Sequence, residues 1–441
     1  MPRKLQDVRT NLTKLCSALH GTPFEAFETK VRAQQSCPLV EDIQGDTEHK
    51  RVTFFYYDEK GDAETVKVCG RYPSFKQAFQ RVGNICIITA DLPKDFCTTY
   101  YFEVKRKGAE KPEIIEHDPL NPRCFYESAR NFNPVLDLLK PFNQQQEQRA
   151  IAEQEAAMEN IKKQDRLKTY YINSHGVIAD ITDPAYTKDG TERIFHVHLP
   201  EGYDPTKAYP MRLFLDGKWY LDAAEVPTIL EDGKTINIML EPKAIEGNAN
   251  IDRDYEYRPD RNIKGFTEFL SKTFIPSVQE KFHVSTAPAD VTICGSSLSG
   301  FAAMHIGLHH PEIFGNVLTQ SAALWLSESR FTKKGEDFTL LPPGEKFLFP
   351  ELRSGELNIN QLRQSRFYME TLSHDFPSNC IANRDFVDAM RDLKIPCRTA
   401  EKPGEHHFAV WEKSLPEATR ILQERSLRAE AETSAPTPTL K

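Results

Sequence analysis

The sequence has no surplus of positive charge: 56 Lys and Arg stand against 64 Asp and Glu in 441 residues, a net charge of −8. A protein whose main partner is nucleic acid carries a basic footprint, so that class is set aside. No C-x-x-C pair is present, and no Cys is spaced with His in the manner of a zinc site. The nine cysteines are an odd, scattered set that makes no disulfide frame. Cys69, Cys86 and Cys294 fall inside apolar, strand-like runs, which reads as buried thiols in a reducing compartment. No apolar run is long enough to span a bilayer, and Met1-Pro-Arg-Lys-Leu-Gln-Asp-Val-Arg9 has no apolar h-region. There is no internal repeat. The expectation is a cytoplasmic protein with no membrane span and no nucleic-acid partner.

What is present, 39% hydrophobic and 27% charged residues over this length, suffices for a sizeable core in two domains. Leu5, Val8, Leu12, Leu15 and Leu19 recur at helical spacing, broken near Gly21-Thr-Pro23, so residues 1–47 read as a helical extension. Over 48–140, short β-branched or aromatic runs (52–57, 65–69, 84–89, 98–104) alternate with Gly, Pro and Asp turns, the rhythm of a β-sandwich. Asp118-Pro-Leu-Asn-Pro122 closes that unit. Residues 141–168, rich in Ala, Glu, Gln and Lys, predict a solvated linking helix. From Thr169 to residue 427, strands at 193–200, 211–216, 235–240, 291–294, 317–321 and 366–370 alternate with helical stretches such as 265–282. That pattern predicts a parallel sheet covered by helices, with its ligand site at the carboxyl ends of the strands. Residues 428–441, rich in Ala, Glu, Thr and Pro, predict a disordered tail.

The chemistry gathers at Val291-Thr-Ile-Cys-Gly-Ser-Ser-Leu-Ser-Gly300. A strand, a sharp turn of small residues and a helix are the context of a nucleophile elbow, here G-x-S-x-S with Ser297 as the nucleophile. A Ser-rich helix cap after a strand is the plainer alternative. Serine needs a base, usually a His oriented by a carboxylate, and on such a sheet the chain order is Ser, acid, His. His305, His309 and His310 belong to the helix after the elbow. His406, in the Gly-marked loop Pro403-Gly-Glu-His-His-Phe-Ala-Val-Trp411, is the candidate base, with His407 as its neighbour and rival. For the acid, Asp375 has loop reach and Glu370 lies nearer the strand; both stay open. The backbone N–H of Leu298 and that of Gly217, in Leu215-Asp-Gly-Lys-Trp219, are candidates for the oxyanion hole.

With these residues in hand, the chain resembles the enterochelin (enterobactin) esterase family over residues 50 to 425. Leu215-Asp-Gly-Lys-Trp219 is similar to the family's L-D-G-x-x-W, with Trp one place nearer. Ile293-Cys-Gly-Ser-Ser-Leu-Ser-Gly300 resembles its G-Q-S-F-G-G elbow. Gly307-Leu-His-His-Pro-Glu-Ile-Phe-Gly315 and Leu318-Thr-Gln-Ser-Ala-Ala-Leu-Trp325 are close to G-L-H-x-P-E-x-F-G and S-Q-S-x-x-x-W. Gly404-Glu-His-His407 aligns with G-G-H-D, and Met369–Asp375 with a segment bearing carboxylates at both candidate positions. Arg253-Asp-Tyr-Glu256 resembles an R-x-x-E turn, and 118–122 a stretch of the accessory domain.

The resemblance implies an α/β fold: an α/β-hydrolase catalytic domain with an N-terminal β-sandwich accessory domain. It implies a serine esterase acting on ferric catecholate siderophores, with Ser297, His406 and Asp375 catalytic. A bulky anionic substrate calls for cations and aromatic faces, which Lys218, Trp219, Arg253, Arg258 and Trp325 supply. Ser296 for Gln, Ser299 for Gly and His407 for Asp depart from the pattern and leave the substrate open. An esterase-D-type hydrolase of small acyl or feruloyl esters is the second reading, and a non-catalytic binding relative the third. The partner is a small-molecule ester. No cofactor or resident metal is needed, and iron enters only with the substrate.

Overall fold

The computed structural model describes residues 5–433, apart from 71–78, 129–130, 141, 245–248, 328–345 and 348. Two compact units divide the chain. The first holds Met1–Ala152 with the short segments Ser373–Asp375 and Pro403–Val410; the second holds Glu153–Leu372, Phe376–Lys402 and Trp411–Lys441.

In the first unit the helical spacing forms α1 (Leu5–Leu19) and, past the Gly-Thr-Pro break, α2 (Glu25–Gln34). Among the described residues nine strands follow: β1 (Leu39–Ile43), β2 (Asp46–Tyr57), β3 (Ala63–Gly70), β4 (Gln80–Val82), β5 (Ile85–Pro93), β6 (Cys97–Arg106), β7 (Glu113–Ile115), β8 (Cys124–Ser128) and β9 (Asn131–Asp137). They form one sheet ordered β1-β2-β5-β4 and another ordered β3-β6-β9-β8, with β7 on β6. Because side chains alternate along a strand, β2 and β5 feed two cores. Phe54, Cys86 and Ile88 pack with Val66, Val68, Tyr100 and Phe102 between the sheets. Phe55, Ile85 and Ile87 pack with Val8, Leu15, Leu19 and Val31 of the two helices. The Pro-rich closing turn is buried through Asp118, whose carboxylate accepts from Tyr100 Oη at 2.5 Å and from the Leu120 N–H at 2.9 Å. The polar stretch then forms α3 (Gln144–Lys163).

In the second unit the elements are β10 (Leu167–Ile172), β11 (Ile178–Asp180), β12 (Arg193–His198), β13 (Met211–Leu215), α4 (Gly217–Asp222), α5 (Val226–Ile229), β14 (Ile236–Leu240), α6 (Ala249–Tyr257), α7 (Ile263–Phe269) and α8 (Ile275–Phe282). There follow β15 (Val291–Ser296), α9 (Ser297–His309), β16 (Asn316–Gln320), α10 (Pro350–Arg353), α11 (Ile359–Leu362), β17 (Arg366–His374), α12 (Pro377–Asp392), β18 (Cys397–Glu405) and α13 (Phe408–Thr433). The nine strands lie in the order β11-β10-β12-β14-β13-β15-β16-β17-β18. β14, β13, β15, β16 and β17 pair parallel. β13, β14 and β16 are buried at every position.

Three expectations need correction. The sheet is mixed, since β10 and β12 pair antiparallel with β11, with each other and with β14. A parallel pair needs a crossover of a dozen or more residues, usually a helix, and no helix lies between β10 and β12. The helix expected over 265–282 is interrupted by a π-turn at Leu270–Phe274. Pro276, in the first turn of α8, has no N–H to continue an unbroken ladder. Finally, the chain is helical to Thr433, beyond Arg428, where the tail was expected to begin. Leu427-Arg-Ala-Glu-Ala-Glu432 consists of good helix formers. Residues 434–441 lie outside the described residues.

Candidate active site

β15 is buried at five of its six positions and ends at Ser296; Ser297, the next residue, turns left-handed with φ +55° and begins α9. A side chain in that region is strained, and strain of this kind marks functional turns. Two devices hold it. A Cβ on Gly295 would sit 2.2 Å from Ser299 O, so only glycine lets the helix double back this close to the strand. Ser299, which replaces a glycine of the expected pattern, is fully buried. Its hydroxyl accepts from the Ser296 N–H at 3.1 Å and donates to the Ser296 carbonyl at 2.9 Å, and with Ser296 it forms a capping box. Its side chain therefore does more than fit where glycine would: it fastens the turn. The Leu298 N–H, in the first helical turn, has no acceptor within its own helix.

The neighbouring strand supplies the other candidate donor. β13 pairs in register with β15, Phe214 opposite Cys294, so the turn into α4 follows beside the turn into α9. Gly217 cannot carry a side chain, because a Cβ would meet the backbone of Met239 at 2.3 Å. The preceding Asp216 is left-handed, φ +62°, and its carboxylate is gripped by Arg253, with Nε–Oδ1 at 3.0 Å and Nη2–Oδ2 at 2.6 Å. Tyr220 Oη lies 2.5 Å from Ser296 Oγ, tying α4 to the elbow; full burial pushes that phenol well above its usual pKa. Nothing in the sequence singled out Tyr220, since a Tyr in a short apolar helix reads as core.

His406 and Asp375 belong to the first unit and meet there, Nδ1 to Oδ1 at 2.8 Å, both buried. Asp375 is the first residue past β17 and His406 the first past β18. Pro403 and Gly404, expected in a loop, are instead the end of β18. That strand closes one end of the sheet, where a proline is tolerated. His407 Nδ1 accepts the Ala409 N–H at 3.0 Å, which occupies it in the helix start. Glu370 lies inside β17, in the second unit. Its Oε1 accepts from Ser414 Oγ at 2.6 Å and from Gln320 Nε2 at 3.1 Å, and burial raises its pKa to about 7.

The candidate substrate contacts separate into two kinds. Lys218 is exposed and pairs with Asp222 at 3.1 Å, leaving its ammonium reachable from solvent. The Arg253 guanidinium is taken up by Asp216 and lies 5.5 Å from the centre of the Trp219 ring. It therefore orients that indole as much as it offers charge. Arg258 pairs with Asp260 and Asp254. Trp325 donates from Nε1 to Asn379 Oδ1 at 2.8 Å.

A strand, a left-handed Ser and a helix on a largely parallel sheet, in a chain that also has a β-rich N-terminal part, make this an α/β hydrolase by fold. The family described as "Putative esterase" matches residues 188–422, more than half of the chain, and the chain belongs to that family. It is 35% identical over 146 residues to an iron(III) enterobactin esterase of Dickeya dadantii (strain 3937), a match spanning 33% of each chain. It is 23% identical over 206 residues to the iron(III) enterobactin esterase of Escherichia coli (strain K12), spanning 47% of this chain and 48% of that one. These matches thus reach only a third to a half of the relatives' lengths. The enterobactin esterase of Shigella flexneri, solved in the presence of enterobactin, superposes with a TM-score of 0.63 over 92% of this chain and 99% of that one. At 17% identity that likeness is one of fold.

Proposed function

We propose that this protein is a serine esterase that hydrolyses the ester bonds of a catecholate siderophore of the enterobactin kind. The observation that carries the reading is the strained, left-handed Ser297 at a strand–helix turn inside the region matched by the esterase family. Ser297 Oγ attacks the ester carbonyl while His406 Nε2 takes its proton, and Asp375 on Nδ1 keeps the imidazole in the tautomer this needs. The N–H groups of Leu298 and Gly217 stabilise the oxyanion. The tetrahedral intermediate expels the alcohol, protonated by His406, and leaves an acyl group on Ser297; a water activated by the same imidazole then releases the acid. Lys218 and the faces of Trp219 and Trp325 receive the anionic, aromatic substrate, with Arg253 holding Trp219. Iron belongs to the substrate.

A cytoplasmic setting goes with this reading. None of the eight cysteines whose side chains are described is in a disulfide, and six of them are buried, as a reducing compartment permits. Among the described residues no helix is long and apolar enough to cross a membrane.

The test is fluorophosphonate labelling of wild type and Ser297→Ala, read by intact mass, followed by chromatography of enterobactin, its ferric complex and simple aryl esters. Labelling of the wild type alone, with siderophore cleaved in preference to aryl esters, is the expected result. A folded wild type that takes no label would overturn the nucleophile. A labelled enzyme that cleaves only aryl esters would overturn the substrate.

A further inference from the structure

α9 carries a second group of chemistry-bearing side chains, two turns beyond Ser297. His305 and His309 are four residues apart, so they share one face of the helix. Their rings lie 4.3 Å apart between centroids. Both turn Nδ1 toward a single carboxylate oxygen, Glu351 Oε1 of α10, at 2.6 Å from His305 and 3.1 Å from His309. All three side chains are half-buried, exposed by 12%, 30% and 24%. His305 and Glu351 border a cavity whose walls include Phe301, Met304, Phe349 and Leu352.

From this arrangement we propose a transition-metal site, for zinc(II) or a similar divalent ion, formed by His305, His309 and Glu351. Two imidazoles and one carboxylate are the donor set that borderline ions prefer over magnesium or calcium, which favour oxygen alone. In a tetrahedral site with bonds of about 2.0–2.1 Å, neighbouring ligand atoms stand roughly 3.3 Å apart. The two nitrogen–oxygen separations fall short of that by less than an ångström, within the reach of side-chain rotation. His309 Nδ1 also lies 2.9 Å from the His305 carbonyl. That contact needs a proton on Nδ1, so metal binding exchanges it for a coordinate bond and gives up the proton. A fourth position is left for water. Eight residues of helix separate His305 from Ser297, about 12 Å along the axis, so the ion takes no part in the chemistry proposed for the serine. It would instead fasten the one-turn α10 to α9.

Full-length protein, stripped with a chelator, is titrated with zinc(II) by calorimetry and with cobalt(II) by absorption spectroscopy. One equivalent is expected to bind, with the intense visible bands of tetrahedral cobalt. His309→Ala and Glu351→Gln, shown folded by circular dichroism, are expected to weaken binding at least tenfold and lose those bands. If His309→Ala fails to fold, His309→Gln at this partly exposed position repeats the reading. His20, Glu25 and Glu28 also stand close enough to share an ion, so His20→Ala is the control and is expected to bind as wild type does. No uptake by wild type, unchanged uptake in Glu351→Gln, or loss in His20→Ala would each overturn the site.

Discussion

Glu370 and Asp375 stand five residues apart, yet their surroundings ask different things of them. Asp375 receives the imidazole of His406 at 2.8 Å, a contact that orients the ring. Glu370 sits among Gln320 and Ser414, where burial favours the proton. Asp375→Asn is therefore expected to lower kcat by about 10⁴-fold, by allowing the wrong imidazole tautomer. Glu370→Gln should leave kcat close to wild type in the same steady-state assay. The sequence left these two carboxylates open because nothing in Met369-Glu-Thr-Leu-Ser-His-Asp375 says where the strand stops. Once β17 is seen to run to His374, one carboxylate is interior and the other is at the strand end. The same applies to His406 and His407, adjacent in sequence but directed to a carboxylate and to a backbone N–H respectively.

At the scale of the element, the β15–α9 turn is fixed by residues that offer little to a propensity scale. Ser299→Ala removes a capping box and two buried hydrogen bonds; a loss of about 1–2 kcal/mol in urea unfolding is expected. Gly295→Ala forces a methyl onto a helix carbonyl. Because backbone cannot rotate aside, the cost should be about 3 kcal/mol or more, with loss of fluorophosphonate labelling if the turn shifts. The central strands were legible because Met211–Leu215, Ile236–Leu240 and Val291–Cys294 are short, mostly apolar runs. β10 was hidden, since Leu167-Lys-Thr-Tyr-Tyr-Ile172 follows within a few residues of a Gln- and Glu-rich helix. β18 was half hidden, because Cys397-Arg-Thr-Ala-Glu-Lys-Pro-Gly-Glu405 is polar and carries a proline. Ser299 was readable only as a tolerable glycine substitute; its hydrogen bonds depend on a turn geometry the sequence does not state.

For the whole molecule, the buried Glu370 ties stability to pH. Its folded pKa, about 7, lies above the ordinary 4.5, so between those values the folded protein keeps a proton that the unfolded chain has released. Stability contributed by this group is present below about pH 4.5 and is lost as pH rises to 7, by up to about 3 kcal/mol. Urea midpoints measured on either side of that window should fall for wild type and fall less for Glu370→Gln. A pH dependence identical in the two proteins would exclude Glu370 as its source.

The helices of the first forty residues are also part of this whole. Their apolar stripe covers Phe55, Ile85 and Ile87 on the outer side of a sheet, each side chain worth roughly 1.5–3 kcal/mol when buried. A protein shortened to begin at residue 48 would thus expose a flat aromatic and β-branched surface, of the sort that templates strand stacking between molecules. It should sediment as large aggregates on concentration while the full chain does not. What reads in sequence as a mere helical extension would then act as a cover that keeps a sticky sheet from meeting its own copies.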